Sequence, residues 1–369
     1  MPNVSENKQS GTTVSGTLQL STGEILTDPS KTVNEQLDQG YTILSDPDGQ
    51  WSALCYAFEK DNGCLNAPRI DISLAQAQKR VLAQFPQWQH LDLRPVEEAG
   101  WCNATFRLGD HLLLKIPRAK RYEHSHLMEY RYLPRLRKHL SGLSSTPIEI
   151  PEPVALGMPD PDFPWHCSVA RWIPGDTATA LSARYQERFA LELARFLKTL
   201  WQAPNHEGPA FFEQNFYRGA PLQVYDSESR EALKALTHVI DTQKAAAVWH
   251  QATNSRWQQA PVWVHGDAFP ANMLIQNQHL HAVIDFGNMC LGDPACDLVM
   301  AWTFFEGASR KAFITAINQD ERIDAHTWER ARGWALWKTL ITLAGIKDKD
   351  SEAARQQIAL IELLICAHG

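Results

Sequence analysis

Residues 262–298 read VWVHGDAFPANMLIQNQHLHAVIDFGNMCLGDPACDL, and this stretch decides the fold. Asp267 and Asn272 stand five apart, and Asp285 opens an Asp-Phe-Gly triplet thirteen residues beyond Asn272. Between them, Met273 to Ile275 and Ala282 to Ile284 read as short β runs joined by the turn-like Gln276 to His279. An amide and a carboxylate at the two ends of such a hairpin can face one divalent cation. Mg²⁺ takes hard oxygen ligands of that kind. Phosphoryl transfer needs little more: an oriented acceptor hydroxyl, which an Asp267 carboxylate can hold, and neutralised phosphate charge. Each piece alone is weak, since an Asp beside a turn is ordinarily a cap or a surface group. The ordered set of His265-x-Asp267, Asn272, Asp285-Phe286-Gly287, Gly292-Asp293-Pro294 and Asp297 is hard to obtain by chance.

Upstream of this block the pattern changes twice. From Ser73, with Gln76 three residues on, a capping-box signature opens a helix that ends near Phe85. Short β-like runs follow at Leu91 to Glu97, Ala104 to Leu108 and, after Gly109-Asp110, His111 to Ile116. A charged helix with an apolar stripe is expected over about Tyr122 to Leu140, with Pro134 as a place to kink. Val154 to Leu156 and Ser168 to Ile173 add two strands. From Thr179 onward the periodicity is helical, clearest over Ala183 to Trp201 and Trp328 to Ala344. Sheet first and helices second predicts an α+β protein of two lobes with a cleft between them.

Bulk properties narrow the classes. The chain has 369 residues, 44% hydrophobic and 21% charged, which suits a packed globular core. A net charge of -7 argues against general nucleic-acid binding. Seven cysteines, scattered and without a CxxC pair, read as reduced thiols of a cytoplasmic protein. No stretch reaches the roughly 18 consecutive apolar residues of a membrane span. Residues 1–69 begin rich in Ser, Thr and Gly and read as a disordered or loosely structured leader without chemistry.

The HGDxxxxN, IDxG and GDPxxD elements resemble the aminoglycoside phosphotransferase family, the small-molecule branch of the protein-kinase-like fold. The resemblance runs from about Ile70 to the C-terminus. It implies a bilobal fold with a small antiparallel-sheet N-lobe over 70–173 and a mainly helical C-lobe over 174–369. It implies ATP and Mg²⁺ as cofactors, Asp267 as catalytic base, Asn272 and Asp285 as metal ligands, and His265 and Asp297 as braces of the catalytic loop. It also asks for a lysine on the third strand, met by Lys115 in HLLLKIP, and a glutamate on the next helix. Glu129 is the best match for that glutamate and Glu123 the runner-up. By the same resemblance, the loop around Gly100 to Asn103 covers the phosphates, and the backbone of Arg171 to Ile173 holds adenine. Two departures from protein kinases point to a small-molecule acceptor. Gly266 replaces the usual arginine, and Gly287 to Gly292 leaves no room for an activation segment. Glu306, Asp293 and Asp226 would suit a cationic acceptor, and Arg218 or Asp226 of NFYRGAPLQVYD would read its polar groups. Two alternatives stay open: a kinase-fold nucleotide binder without transfer activity, and an adenylyl transferase.

Overall fold

The computed structural model describes residues 69–366 except 97–99, 101, 143–147, 207 and 213–214. Of the leader it describes only three short strands, β1 (Leu18–Leu20), β2 (Ile25–Leu26) and β3 (Tyr41–Ile43), paired in the order β2-β1-β3. The expectation of a loose leader otherwise lies outside the described residues.

Helix α1 (Leu74–Gln84) starts at the expected capping box. Ser73 Oγ accepts from the Gln76 amide, and Gln76 Oε1 accepts from the Ser73 amide at 2.8 Å. The helix lies against a five-stranded antiparallel sheet of order β4-β5-β6-β8-β7. Its strands are β4 (Leu93–Pro95), β5 (Asn103–Leu108), β6 (Leu112–Pro117), β7 (Pro153–Gly157) and β8 (Cys167–Arg171). Period-two alternation sets the faces. Phe106 and Leu108 of β5 pair in register with Leu114 and Leu112 of β6, and all four are buried with Val81 of α1 and Phe85 just after it. Each such side chain contributes about 1.5–3 kcal/mol on burial. Lys115, one position out of phase with that row, projects to the opposite face.

That face meets helix α2 (Glu123–Gly142). The helix runs on unbroken through Pro134, which lies on its exposed side while Met128, Tyr132, Leu133, Leu136 and Leu140 form the buried stripe. After β8 the chain crosses at β9 (Asp176–Thr177), which pairs with β11 (Met273–Gln276). The helices that follow are α3 (Gln186–Trp201), α4 (Asp226–Ala235), α5 (Thr242–Thr253), and, after the strands of the catalytic segment, α6 (Met300–Thr303), α7 (Gly307–Ile317), α8 (Ala325–Gly345) and α9 (Glu352–Cys366). Helix α3 buries Phe189, Leu193, Phe196, Leu197 and Leu200 at the predicted helical spacing. Helix α8 is buried over most of its circumference and is the central post of the helical lobe.

One hairpin is tighter than its sequence indicates. Strand β12 (His279–Val283) begins right after a two-residue turn at Asn277-Gln278, both at positive φ without a glycine. Tertiary contacts hold this turn: Gln278 Oε1 accepts from the Ser182 amide, and the Gln278 carbonyl accepts from Arg188 at 2.7 Å.

Candidate active site

The catalytic loop follows strand β10 (Val262–Val264), which pairs with β13 (Cys290–Gly292). Asp297 is fully buried beneath the loop, and its two carboxylate oxygens accept from the amides of His265 at 2.7 Å and Gly266 at 2.8 Å. Burial pushes the Asp297 carboxyl above its ordinary range, against the pull of His265 and the two amides. His265 joins the loop to the far end of the hairpin. Its Nε2–H donates to the Ile284 carbonyl at 2.9 Å, and its Nδ1 accepts from the Asp267 amide at 3.2 Å. These two bonds define one neutral tautomer. Phe286 lies edge-on to the same ring, at 4.6 Å between centroids.

Gly266 adopts φ +79°, and a Cβ there would meet the Asn288 carbonyl at 2.5 Å. Only glycine fits that left-handed, crowded position. The Asn272 amide donates to the Asp267 backbone oxygen at 2.9 Å and to Asp267 Oδ2 at 3.1 Å. The amide nitrogen is thus turned to Asp267, and the amide oxygen faces the other way. Asp285 sits at the other end of the β11–β12 hairpin in a left-handed backbone conformation, which is strained for a non-glycine residue. Gly287 completes the triplet where α2 passes close: a Cβ would lie 2.7 Å from Ser125 Cβ.

Lys115 links the sheet to both helix and hairpin. Its Nζ lies 3.1 and 3.0 Å from the two Glu129 oxygens and 3.5 Å from Asp285 Oδ1. Burial alone would lower the lysine pKa; the Glu129 and Asp285 carboxylates override it and hold Lys115 charged, above its ordinary value. Glu123, the runner-up, does not reach Lys115. It is buried against Lys120 and accepts from the His166 amide at 2.9 Å and from its ring at 2.6 Å.

Among the residues expected around the nucleotide, several are placed differently from Lys115. The Asn103 side chain is buried, with Oδ1 3.0 Å from His126 Nε2, so that side chain faces the inside of the lobe. His126 is kept neutral by burial and by the nearby Lys115 charge. Gly100 is exposed, and its neighbours 97–99 and 101 lie outside the described residues. The amides of Arg171 and Trp172 are engaged with the carbonyls of Glu152 and His111, both at 2.9 Å, which confines any adenine contact of this segment to its carbonyls and to Ile173. Ile173 packs with Leu274, Ala282 and Ile284 in a small apolar cluster at the lobe junction.

The acidic residues expected to receive a cationic acceptor are engaged elsewhere. Asp293 is buried in an ion pair with Arg330 at 2.6 Å, Asp226 holds Arg230 at 2.6 Å and Trp249 Nε1 at 2.9 Å, and Glu306 caps α7. No sequence signal distinguished these partners in advance. Cys102 lies within electrostatic range of Asp285 and Asp267, and burial together with those carboxylates pushes its thiol up to about 12. Among the described residues Cys102, Cys167, Cys290, Cys296 and Cys366 are in no disulfide. Among the described residues no cluster of three or more His, Cys, Asp and Glu side chains is set to hold a metal, and no helix is long and apolar enough to cross a membrane.

The sheet lobe, the helical lobe and the loop–hairpin between them define a bilobal protein-kinase-like α+β fold. A family profile described as "Phosphotransferase enzyme family" matches residues 92–334, more than half of the chain. The chain belongs to this family. Among solved structures it is similar to the GDP complex of wild-type aminoglycoside 2'-phosphotransferase-IIIa, at 17% identity and TM-score 0.57 over 80% of this chain and 99% of that one. It is also similar to the streptomycin–ATP ternary complex of APH(2")-IIa, at 16% identity and TM-score 0.52 over 80% and 97% of the two chains. A third, APH(4)-Ia in ternary complex with ADP and hygromycin B, gives 17% identity and TM-score 0.52 over 76% and 95%. These likenesses carry the fold. A comparison with curated proteins finds no match.

Proposed function

We propose that the chain is an ATP- and Mg²⁺-dependent kinase that phosphorylates a hydroxyl of a small molecule. The observation that carries this reading is the convergence of two separately built clusters. One is Lys115 held between Glu129 and Asp285, and the other is Asp267 held by Asn272 and His265. In this reading Lys115 binds the α- and β-phosphates, and Glu129 keeps its ammonium in place. The donor set suits a hard cation: the Asp285 carboxylate is 46% exposed among buried neighbours, and the Asn272 oxygen is turned away from Asp267. Asn272 and Asp285 would hold Mg²⁺, which supplies charge neutralisation at the phosphate oxygens when bound.

Asp267 orients the acceptor hydroxyl and takes its proton as the new bond from that oxygen to the γ-phosphorus forms. The bond from the γ-phosphorus to the bridging oxygen breaks, and ADP leaves with that electron pair. His265 and Asp297 act through the loop backbone and fix where the Asp267 carboxylate stands. The family membership and the short Gly287 to Gly292 connection support a small-molecule acceptor over a protein one.

Product mass after incubation with Mg²⁺ and ATP tests the reading. A panel of aminoglycosides, macrolides, sugars, amino alcohols and hydroxy acids should contain a compound that gains one phosphoryl group. Gain of an adenylyl group instead, or failure of the protein to bind Mg²⁺–nucleotide, would sink it.

A further inference from the structure

Arg218 stands directly against the catalytic loop. A side chain at Gly266 would meet Arg218 Cβ at 3.0 Å. The residue is 8% exposed, and its Nε is buried without a hydrogen-bond partner. Its guanidinium carbon lies over two rings, 5.1 Å from the Trp337 centroid and 5.7 Å from that of Trp334. Rings attract the cation but cannot accept its in-plane N–H groups. The other buried arginines differ in carrying an ion pair, although the Nε of Arg80 is likewise buried without a partner. Arg330 is paired with Asp293 at 2.6 Å, and Arg80 with Asp160 and two carbonyls. A mostly buried guanidinium whose Nε has no partner is costly, and a ligand that brings an anion offsets part of that cost.

The backbone that presents Arg218 is strained and clamped. Phe216 and Tyr217 have φ +55° and +51°, and Gly219 has +76°. The Phe216 carbonyl accepts from Tyr225 Oη, the Arg218 carbonyl from Cys290 Sγ at 2.9 Å, and the Gly219 carbonyl from the Asp293 amide at 2.9 Å. Strain held this way is found at functional sites. A second cation lies close by. Lys338 follows Trp337 on α8, with its Nζ 6.0 Å from that ring. Lys338 is exposed, and the charges of Arg218, Asp267 and Glu228 all act on it. Lys338 and Arg218 thus lie against the same Trp337 ring. Glu228 is itself tied to Trp337 Nε1 at 2.9 Å.

We infer that Arg218 and Lys338 are the docking point for an oxyanion carried by the acceptor, a carboxylate or a phosphate. The acceptor is then an anionic hydroxyl compound and not a polyamine. This inference rests on the kinase reading, and the experiment separates the two. Calorimetric binding of Mg²⁺–ADP to the full chain tests the kinase reading alone. ATP turnover is then measured with kanamycin and choline, with glucose and glycerol, with gluconate and glycerate, and with glycerol 3-phosphate and glucose 6-phosphate. Transfer is expected only in the two anionic arms, and the arm that responds identifies the oxyanion. For the compound taken, Arg218→Met and Lys338→Met should each raise KM about ten- to hundredfold, with a smaller change in kcat and Mg²⁺–ADP affinity retained. Lys338 is on the surface side of α8, so its variant keeps the test valid if Arg218→Met folds poorly. Mg²⁺–ADP binding without transfer to any anionic compound, or transfer to kanamycin or glucose with KM untouched by both variants, overturns the inference.

Discussion

Replacing Glu129 by glutamine removes one charge and changes almost no volume, so it isolates what the Lys115–Glu129 pair does. In the native protein Lys115 Nζ is 3.0 Å from one Glu129 oxygen and 3.1 Å from the other, with Asp285 further off at 3.5 Å. A hydrogen bond to a charged group is worth about 1.5–3 kcal/mol. Asp285 partly compensates, which puts the expected stability loss near the lower figure, about 1.5–2 kcal/mol. That is a fraction of the 5–15 kcal/mol typical of a folded domain, so the variant should remain folded. The functional loss should exceed the structural one. Without Glu129 the ammonium has Asp285 as its sole carboxylate partner of the two, and it draws on the residue proposed to bind Mg²⁺. Mg²⁺–ATP affinity should fall about 10- to 50-fold, or roughly 1.4–2.3 kcal/mol. Denaturant melts give the first quantity and calorimetry the second. Nucleotide affinity unchanged in Glu129→Gln, or an equal loss in Glu123→Gln, would refute the assignment of Glu129.

Glu123→Gln should instead act on stability, costing about 1–2 kcal/mol at neutral pH. Burial alone would raise the Glu123 pKa, but the Lys120 ammonium and the His166 bonds hold it below its ordinary range. Its contribution is therefore present above the ordinary glutamate pKa and lost as pH falls through the depressed value, so the wild-type and Glu123→Gln stabilities should converge in acid. Gly266→Ala meets a positive φ and a 2.5 Å approach to the Asn288 carbonyl, and thermal melts should show a loss of about 2–4 kcal/mol. Asp297→Asn keeps the shape but replaces one acceptor oxygen by a donor facing a buried amide. Turnover should drop at least about tenfold while Mg²⁺–ATP affinity changes little, because the side chain acts on the position of Asp267.

The spacing of Asp267, Asn272 and Asp285 made the loop and hairpin legible, because that geometry is carried by a short contiguous segment. Lys115 was legible as the lysine inside an apolar strand that the family resemblance asks for, and the sheet puts it on the α2 face. What stayed hidden depends on residues distant in sequence. Nothing local marks Asn277-Gln278 as a two-residue turn, since its support comes from Ser182 and Arg188. Asn103 reads as a loop residue near phosphate, yet its partner is a histidine 23 positions on. Asp293 reads as a surface acid until Arg330 arrives from another helix. Arg218 is the reverse case, expected to read polar groups of the acceptor and found with its Nε buried and without a hydrogen-bond partner.

The account rests on two aspartates of one chemical type doing different work, Asp285 on metal and nucleotide and Asp267 on the acceptor. Calorimetric titration of Mg²⁺–ATP into wild type, Asp267→Asn and Asp285→Asn tests this most directly. Asp267→Asn should bind within about twofold of wild type, its defect of about 10²–10⁴-fold appearing only in turnover. Asp285→Asn should bind at least about tenfold more weakly and recover in part at higher Mg²⁺. Loss of binding in Asp267→Asn beside wild-type affinity in Asp285→Asn would contradict the assignment.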